Sequence, residues 1–203
     1  MSIVFKLHTL RFDLNSINKT YLWKIKIKKG ANLLKNLTLT GMMGVGKSTI
    51  GKIIAKKLNY KFIDIDKVIE AKEGTSINSI FRNKDESYFR KIEKEVVLHE
   101  FKKINSVISL GGGAFLSNTV RKSAKKLSVS FWIDVPVEEL IKRLKKGRQR
   151  PLLFKKNISE TVKKIYFERK KIYNEADYRI KCHSLTSEEI AKKVITLYEK
   201  SGN

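Results

Sequence analysis

Gly41-Met42-Met43-Gly44-Val45-Gly46-Lys47-Ser48-Thr49 decides the fold of this chain. The stretch fits G-x-x-x-x-G-K-[ST], a phosphate-binding loop. Gly41, Gly44 and Gly46 let the backbone take positive φ and come close to an anion. Consecutive N–H groups along Val45–Thr49 then line a concave nest for phosphate oxygens. Lys47 brings a mobile positive charge to the outer phosphates, and the Ser48 hydroxyl can reach a Mg2+. The flanks agree. Asn36-Leu37-Thr38-Leu39-Thr40 reads as a short buried strand, and Ile50, Ile53, Ile54 and Leu58 follow at helical spacing. A helix that opens at the loop adds its positive dipole end to the site. Strand, glycine loop and helix in that order point to a nucleotide phosphate site rather than a chance glycine turn.

Outward from the loop, composition sets bounds. At 203 residues the chain is one domain with room for a small appendage. A hydrophobic fraction of 41% is ordinary for a globular protein. No run of about 18 apolar residues exists, so no membrane span is expected. Cys182 is the single cysteine, which excludes an intrachain disulfide and suits a reducing, cytoplasmic setting. His8, His99 and His183 are scattered, which argues against zinc. The formal net charge of +24 admits a nucleic-acid partner. Yet the lysines are spread over the whole chain rather than gathered. Solvated basic faces and an anionic small-molecule substrate are the favoured reading. A monomer is expected.

Residues 1–35 differ from the rest. Lys6, Arg11, Lys19, Lys24, Lys26, Lys28, Lys29 and Lys35 are opposed only by Asp13. Apolar residues alternate along Phe5–Leu14 and again along Tyr21–Ile27. This basic extension reads as a β-hairpin or a disordered segment, and lacks the apolar core of a signal peptide.

From Asn36 to the C-terminus, strands alternate with helices. Strands are expected at 61–64, 106–110, 129–135 and 178–181. Helices are expected at 67–73, 85–102, from Pro136 to about Lys146, and at 159–173. Ser76 caps a turn. Thr186-x-x-Glu189 makes a capping box for a last helix with Ile190, Val194, Leu197 and Tyr198 inward. No element is assigned between Gly113 and Val129. The alternation implies an α/β fold: a parallel sheet covered on both faces, with ligands at the C-terminal ends of its strands.

Several side chains stand at those ends. Asp64-Ile65-Asp66 closes the second strand. One carboxylate can serve the metal and the other a substrate hydroxyl; the competing use is Asp66 as N-cap of a helix starting at Lys67. Arg90 and Glu93 share a helix face, so the glutamate can orient the arginine toward a carboxylate. Gly111-Gly112-Gly113 after a strand marks a close backbone approach. Arg148 and Arg150 sit in a basic loop, with Arg143 on the helix before it. Arginine on a mobile loop beside a transferable phosphate is what a closing lid needs. Arg169 offers a second fork to an anion.

These motifs, taken in order, resemble the shikimate kinase family. The resemblance runs from about Asn36 to the C-terminus. It rests on Gly41–Thr49, Asp64 and Asp66, Phe89-Arg90-x-x-Glu93, Gly111–Gly113, Arg150-Pro151-Leu152-Leu153 and Glu168-Arg169-x-x-x-Tyr173. It implies a three-layer α/β/α, P-loop fold like that of the nucleoside-monophosphate kinases, with a central five-stranded parallel sheet. It also implies a substrate-binding region at about 64–93 and a lid at about 145–157. By the same resemblance Asp66, Arg90, Gly112, Gly113 and Arg169 hold shikimate, with Glu93 bracing Arg90. Arg143 lies against adenine, Arg150 reaches phosphate from the lid, and Ser48 and Asp64 serve Mg2+. Asp85 stands where the family often has glycine, and Lys171 where it often has proline. Residues 1–35 have no counterpart.

The implied reaction moves the γ-phosphoryl group of ATP to the shikimate 3-hydroxyl. Lys47, Mg2+ and Arg150 neutralise the moving group. Asp66 orients the hydroxyl first and takes its proton late, since an aspartate pKa of about 4 lies far below that of an alcohol. Two rivals are a gluconate-type small-molecule kinase and a nucleic-acid-associated P-loop ATPase.

Overall fold

The computed structural model describes residues 35–146, 153 and 157–202. The expected hairpin at 1–35 lies, but for Lys35, outside the described residues. So does most of the lid, Arg148 and Arg150 included.

Five strands form one sheet: β1 (Asn36–Thr40), β2 (Lys61–Asp64), β3 (Ser106–Ser109), β4 (Ser128–Asp134) and β5 (Tyr178–Lys181). Every pairing is parallel, in the order β2-β3-β1-β4-β5. The helices are α1 (Lys47–Leu58), α2 (Ile65–Glu73), α3 (Ile77–Asn83), α4 (Glu86–Glu100), α5 (Asn118–Leu127), α6 (Val137–Lys146), α7 (Ile158–Tyr173) and α8 (Ser187–Ser201). A 3-10 turn covers Ala114–Leu116. With helices on both faces the architecture is three-layer α/β/α.

Parallel strands buried on both sides need apolar runs. Leu37, Leu39, Val107, Ile108, Phe131, Trp132 and Ile133 supply them, all nearly inaccessible. Local chemistry sets the helix ends. Ser76, Asp85, Ser117 and Asn157 cap their helices through side-chain oxygens, and Thr186 with Glu189 forms the full capping box. Gly74, at φ 64, ends α2 in the left-handed conformation.

Two expectations are corrected. α2 starts at Ile65, not Lys67, because Asp64 rather than Asp66 is its N-cap: the Asp64 carboxylate accepts from the Asp66 and Lys67 amides. Asp66 therefore sits in the first turn of α2, past its cap. The stretch after the triple glycine is not empty either: it carries α5, whose buried contribution is only Val120 and Ala124.

The order β2-β3-β1 positions the site. It sets the C-terminal end of β3, with its glycines, between Asp64 on β2 and the phosphate loop after β1. The chain leaves β1 for one side of the sheet and later returns to β4 on the other. β1 therefore borders the switch in strand order where ligands of such sheets bind.

On the far side of β1, the buried Asp134 ends β4. Arg179 donates to it from Nε at 2.9 Å and Nη2 at 2.7 Å, and the Tyr166 hydroxyl donates at 2.9 Å. Burial, then the Asp134 contact, pushes the Tyr166 hydroxyl up to about 12, so it stays a donor. Arg179 also stacks over Trp132, 4.6 Å from the ring centre. Arg179→Met would leave the Asp134 charge underpaired. Discounted for the part-exposed guanidinium, the cost is about 2 kcal/mol, or roughly 6 °C in thermal midpoint. Calorimetry checks it, and an unchanged midpoint would contradict the assignment.

Candidate active site

Three left-handed glycines shape the phosphate loop: Gly41 (φ 131), Gly44 (φ 81) and Gly46 (φ 92). At Gly41 the space is closed as well, since a Cβ there would stand 2.6 Å from the Ile133 carbonyl oxygen. Gly46 is also the N-cap of α1, so no side chain caps this helix, and its first turn holds no acid. The amides of the first turn are thus left for an anion. Lys47 is only 8% exposed, and its ammonium donates to the carbonyls of Gly41 (2.9 Å) and Met42 (2.8 Å). Val45 is buried, and its carbonyl lies 3.5 Å from Arg143 Nη1, so α6 brings Arg143 against the phosphate loop.

At the first turn of α1 the Ser48 hydroxyl donates to Asp64 Oδ2 at 2.6 Å. A hydroxyl and a carboxylate in contact beside a phosphate nest are hard oxygen donors, the kind Mg2+ takes while keeping phosphate and water as its other ligands. Among the described residues no group of three or more His, Cys, Asp or Glu gathers as a self-sufficient metal site.

Two hollows adjoin here. Gly44, Gly46, Lys47, Ser48, Thr49, Asp64 and Ser109 line the first. Ile77, Phe81, Phe89, Arg90, Glu93, Gly113 and Arg169 line the second. Met43, Asp66, Gly111 and Gly112 line both. Asp66 thus stands where the hollow at the phosphate loop meets the crevice beside Arg90. Sequence reasoning named Asp66, Arg90, Glu93, Gly112, Gly113 and Arg169, and the fold brings all six to this crevice.

Arg90 is held on every side. Its Nη1 donates to Glu93 Oε2 at 2.6 Å, and its Nε and Nη2 donate to Glu86 Oε1 at 3.2 and 2.9 Å. The Phe89 ring centre lies 5.1 Å from its Cζ. A Cβ on Gly113 would fall 2.2 Å from Nη1, so the guanidinium lies directly on that glycine. Glu93 is 2% exposed. Burial raises its carboxyl and Asp66 adds to the rise, while Arg90 pulls it down. The Arg90 guanidinium is itself held higher by Glu93 and Glu86, against its own burial. Its proton is never lost, so the 2.6 Å contact favours the ionised form of Glu93 against the burial of that carboxyl. The other oxygen, Oε1, is buried with no hydrogen-bond partner among the described residues. It points past Gly111, where a Cβ would meet it at 2.4 Å and Asp66 Oδ1 at 2.9 Å.

The glycine run therefore serves space rather than conformation, since none of its three residues has a left-handed φ. Gly111 makes room for two carboxylates and Gly113 for Arg90. A Cβ on Gly112 would lie 3.2 Å from the Met43 nitrogen, which places this residue against the phosphate loop. The Gly112 carbonyl accepts from Arg169 Nη1 at 3.0 Å and from the Tyr173 hydroxyl.

The motifs along the chain do not assign Glu86 or the apolar wall of Met43, Ile77, Phe81 and Phe89 to the site, and they mark Gly111 only as part of a close backbone approach. Glu86 lies one helical turn before Arg90, so spacing could have found it. The wall could not be found that way: Phe81 and Phe89, with ring centres 4.8 Å apart, come from different helices.

Comparison with known proteins agrees with this geometry. The family model for shikimate kinase matches residues 43–199. A shikimate kinase of Persephonella marina is 41% identical over 162 residues, covering 80% of this chain and 98% of that enzyme. The solved shikimate kinase from Acinetobacter baumannii in complex with shikimate superposes with a TM-score of 0.79 at 30% identity, covering 83% of this chain and 94% of that one. A gluconokinase from Sinorhizobium meliloti, at 14% identity and a TM-score of 0.51, covering 84% of this chain and 95% of that one, shares the fold alone. With residues 43–199 matched by the family model and 80% of the chain matched at 41% identity, the chain belongs to the shikimate kinase family.

Proposed function

We propose that this chain transfers the γ-phosphoryl group of ATP to the 3-hydroxyl of shikimate, giving shikimate 3-phosphate and ADP in chorismate biosynthesis. The observation that carries the reading is Asp66 on the shared wall of the two hollows, with Lys47 on one side and Arg90 and Arg169 on the other.

The bound acid meets two guanidiniums through its carboxylate. Its ring lies against Phe81, Phe89, Ile77 and Met43, a surface suited to a carbocycle and poor for an open-chain polyol. Its hydroxyls face Asp66, while Glu93 braces Arg90 from behind. Asp66 aims the 3-hydroxyl at the γ-phosphorus. The new O–P bond forms as the bond to the β-phosphate oxygen breaks, and the hydroxyl proton passes late to Asp66. The transition state is loose, so position and charge do most of the work. The Lys47 ammonium, the α1 amides and Arg150 balance the charge on the moving group. Ser48 and Asp64 would hold Mg2+, which would offset the negative charge of the phosphates when bound. Arg143 lies against adenine. The enzyme works as a cytoplasmic monomer on small molecules. Among the described residues no helix is long and apolar enough to cross a membrane.

Gly113→Ala tests the cage. The new methyl must displace the Arg90 guanidinium, removing a charge-assisted contact worth about 1.5–3 kcal/mol. The KM for shikimate is expected to rise about 10- to 100-fold, with the KM for ATP unchanged. Equal KM values for shikimate in variant and wild type would remove Arg90 from the acceptor site.

An ADP-release assay over several acceptors tests the function itself. Shikimate should support turnover and gluconate should not. Turnover on gluconate alone, or ATP hydrolysis that needs nucleic acid and collapses with salt, would replace the proposal with its rivals.

A further inference from the structure

Tyr173 closes α7 and is fully buried, its ring 6.0 Å from that of Trp132. Packing alone would be served by phenylalanine, and burying a hydroxyl costs free energy unless it finds a partner. The partner here is specific: the carbonyl of Gly112, the oxygen that Arg169 Nη1 also reaches. Arg169 and Tyr173 stand four residues apart and share one face of α7. The same hydroxyl lies 3.9 Å from the Met42 sulfur, at the start of the phosphate loop. One buried group thus touches the middle glycine and the loop, beside the arginine that enters the crevice.

We infer that Tyr173 is a positioning residue for phosphoryl transfer: by donating to the Gly112 carbonyl, its hydroxyl fixes the middle glycine against the phosphate loop and sets the reach of Arg169 into the acceptor crevice. The inference rests on the shikimate kinase reading of the site. A carbonyl oxygen has two acceptor lone pairs, and Tyr173 and Arg169 take both. Gly112 therefore meets the acceptor through its N–H and not its oxygen. Arg169 is anchored at one nitrogen, which leaves the rest of its fork for the carboxylate. Burial raises the Tyr173 hydroxyl, so it remains a donor across the working pH range. Without it, the carbonyl is held by a flexible arginine alone, and both can shift together.

The test is Tyr173→Phe in the full chain, assayed with shikimate and ATP varied separately. The KM for shikimate should rise about tenfold while the KM for ATP moves less than about twofold, the value of one hydrogen bond felt on the acceptor side only. In an Arg169→Ala background the same change should add less than about twofold, because the two groups act as one unit. Installing p-aminophenylalanine at 173, which keeps a donor, should restore the shikimate KM and covers the case in which the phenylalanine variant folds poorly. A wild-type KM in Tyr173→Phe, an equal rise in both KM values, full additivity with Arg169→Ala, or no rescue by the amino analogue would each overturn the inference. If wild type turns shikimate over, such a result sinks the inference alone; if it does not, the functional reading falls with it.

Discussion

Lys47→Ala should lower kcat about 10³-fold, the scale on which a single preorganised donor to a transition-state anion acts. The ammonium is nearly buried at the floor of the loop, held by the Gly41 and Met42 carbonyls at 2.9 and 2.8 Å. It therefore needs little reorganisation to meet a phosphate. As charge spreads over the equatorial oxygens of the moving group, a fixed cation in a water-poor cleft gains more than it would in solution. The effect should fall on kcat rather than on the shikimate KM, since Lys47 lines the phosphate hollow and not the acceptor one. Arginine should not substitute: its fork is wider than the point charge this site holds. Rapid-quench turnover at saturating substrates checks this, and a loss below about tenfold would deny Lys47 its role.

Asp66→Asn should lower kcat about 10²-fold, the lower end of general-base contributions. The change keeps an oxygen that can still accept from a hydroxyl, so part of the orienting role survives. It removes the late proton acceptor and a charge that faces Glu93. With one carboxylate fewer beside it, the Glu93 carboxyl should drop, because Asp66 helps hold it up. Shikimate affinity should change little, since Arg90 and Arg169 remain. Undiminished turnover would remove Asp66 from the chemistry.

The residues legible in the sequence are those whose spacing along the chain implies a contact. The phosphate loop was one, because three glycines, a lysine and a serine act within one turn of backbone. Arg90 and Glu93 were another, three apart on a helix. Strand and helix alternation gave the sheet, and the Thr186 capping box gave α8. What could not be read depended on the sheet order. That β3 lies between β2 and β1 is what sets Gly111 against both Asp66 and Glu93, and no local pattern states it. Tyr173 meets Gly112 across 61 residues. α5 is not legible because Val120 and Ala124 are its only buried residues in ten, too few to mark a helical period. The sequence offers Asp66 as the cap of α2, but it is the Asp64 carboxylate that meets both the α2 amides and Ser48. A carboxylate has two oxygens, and each found its own partner.

The central claim is that one crevice sets an acceptor hydroxyl in line with a bound γ-phosphate. Following ATP, Mg2+, shikimate and the full chain together by 31P NMR tests it most directly. The account predicts that the γ-phosphate signal is replaced by a phosphomonoester coupled to the ring proton at carbon 3, in step with ADP. Release of inorganic phosphate with shikimate left unchanged would contradict it.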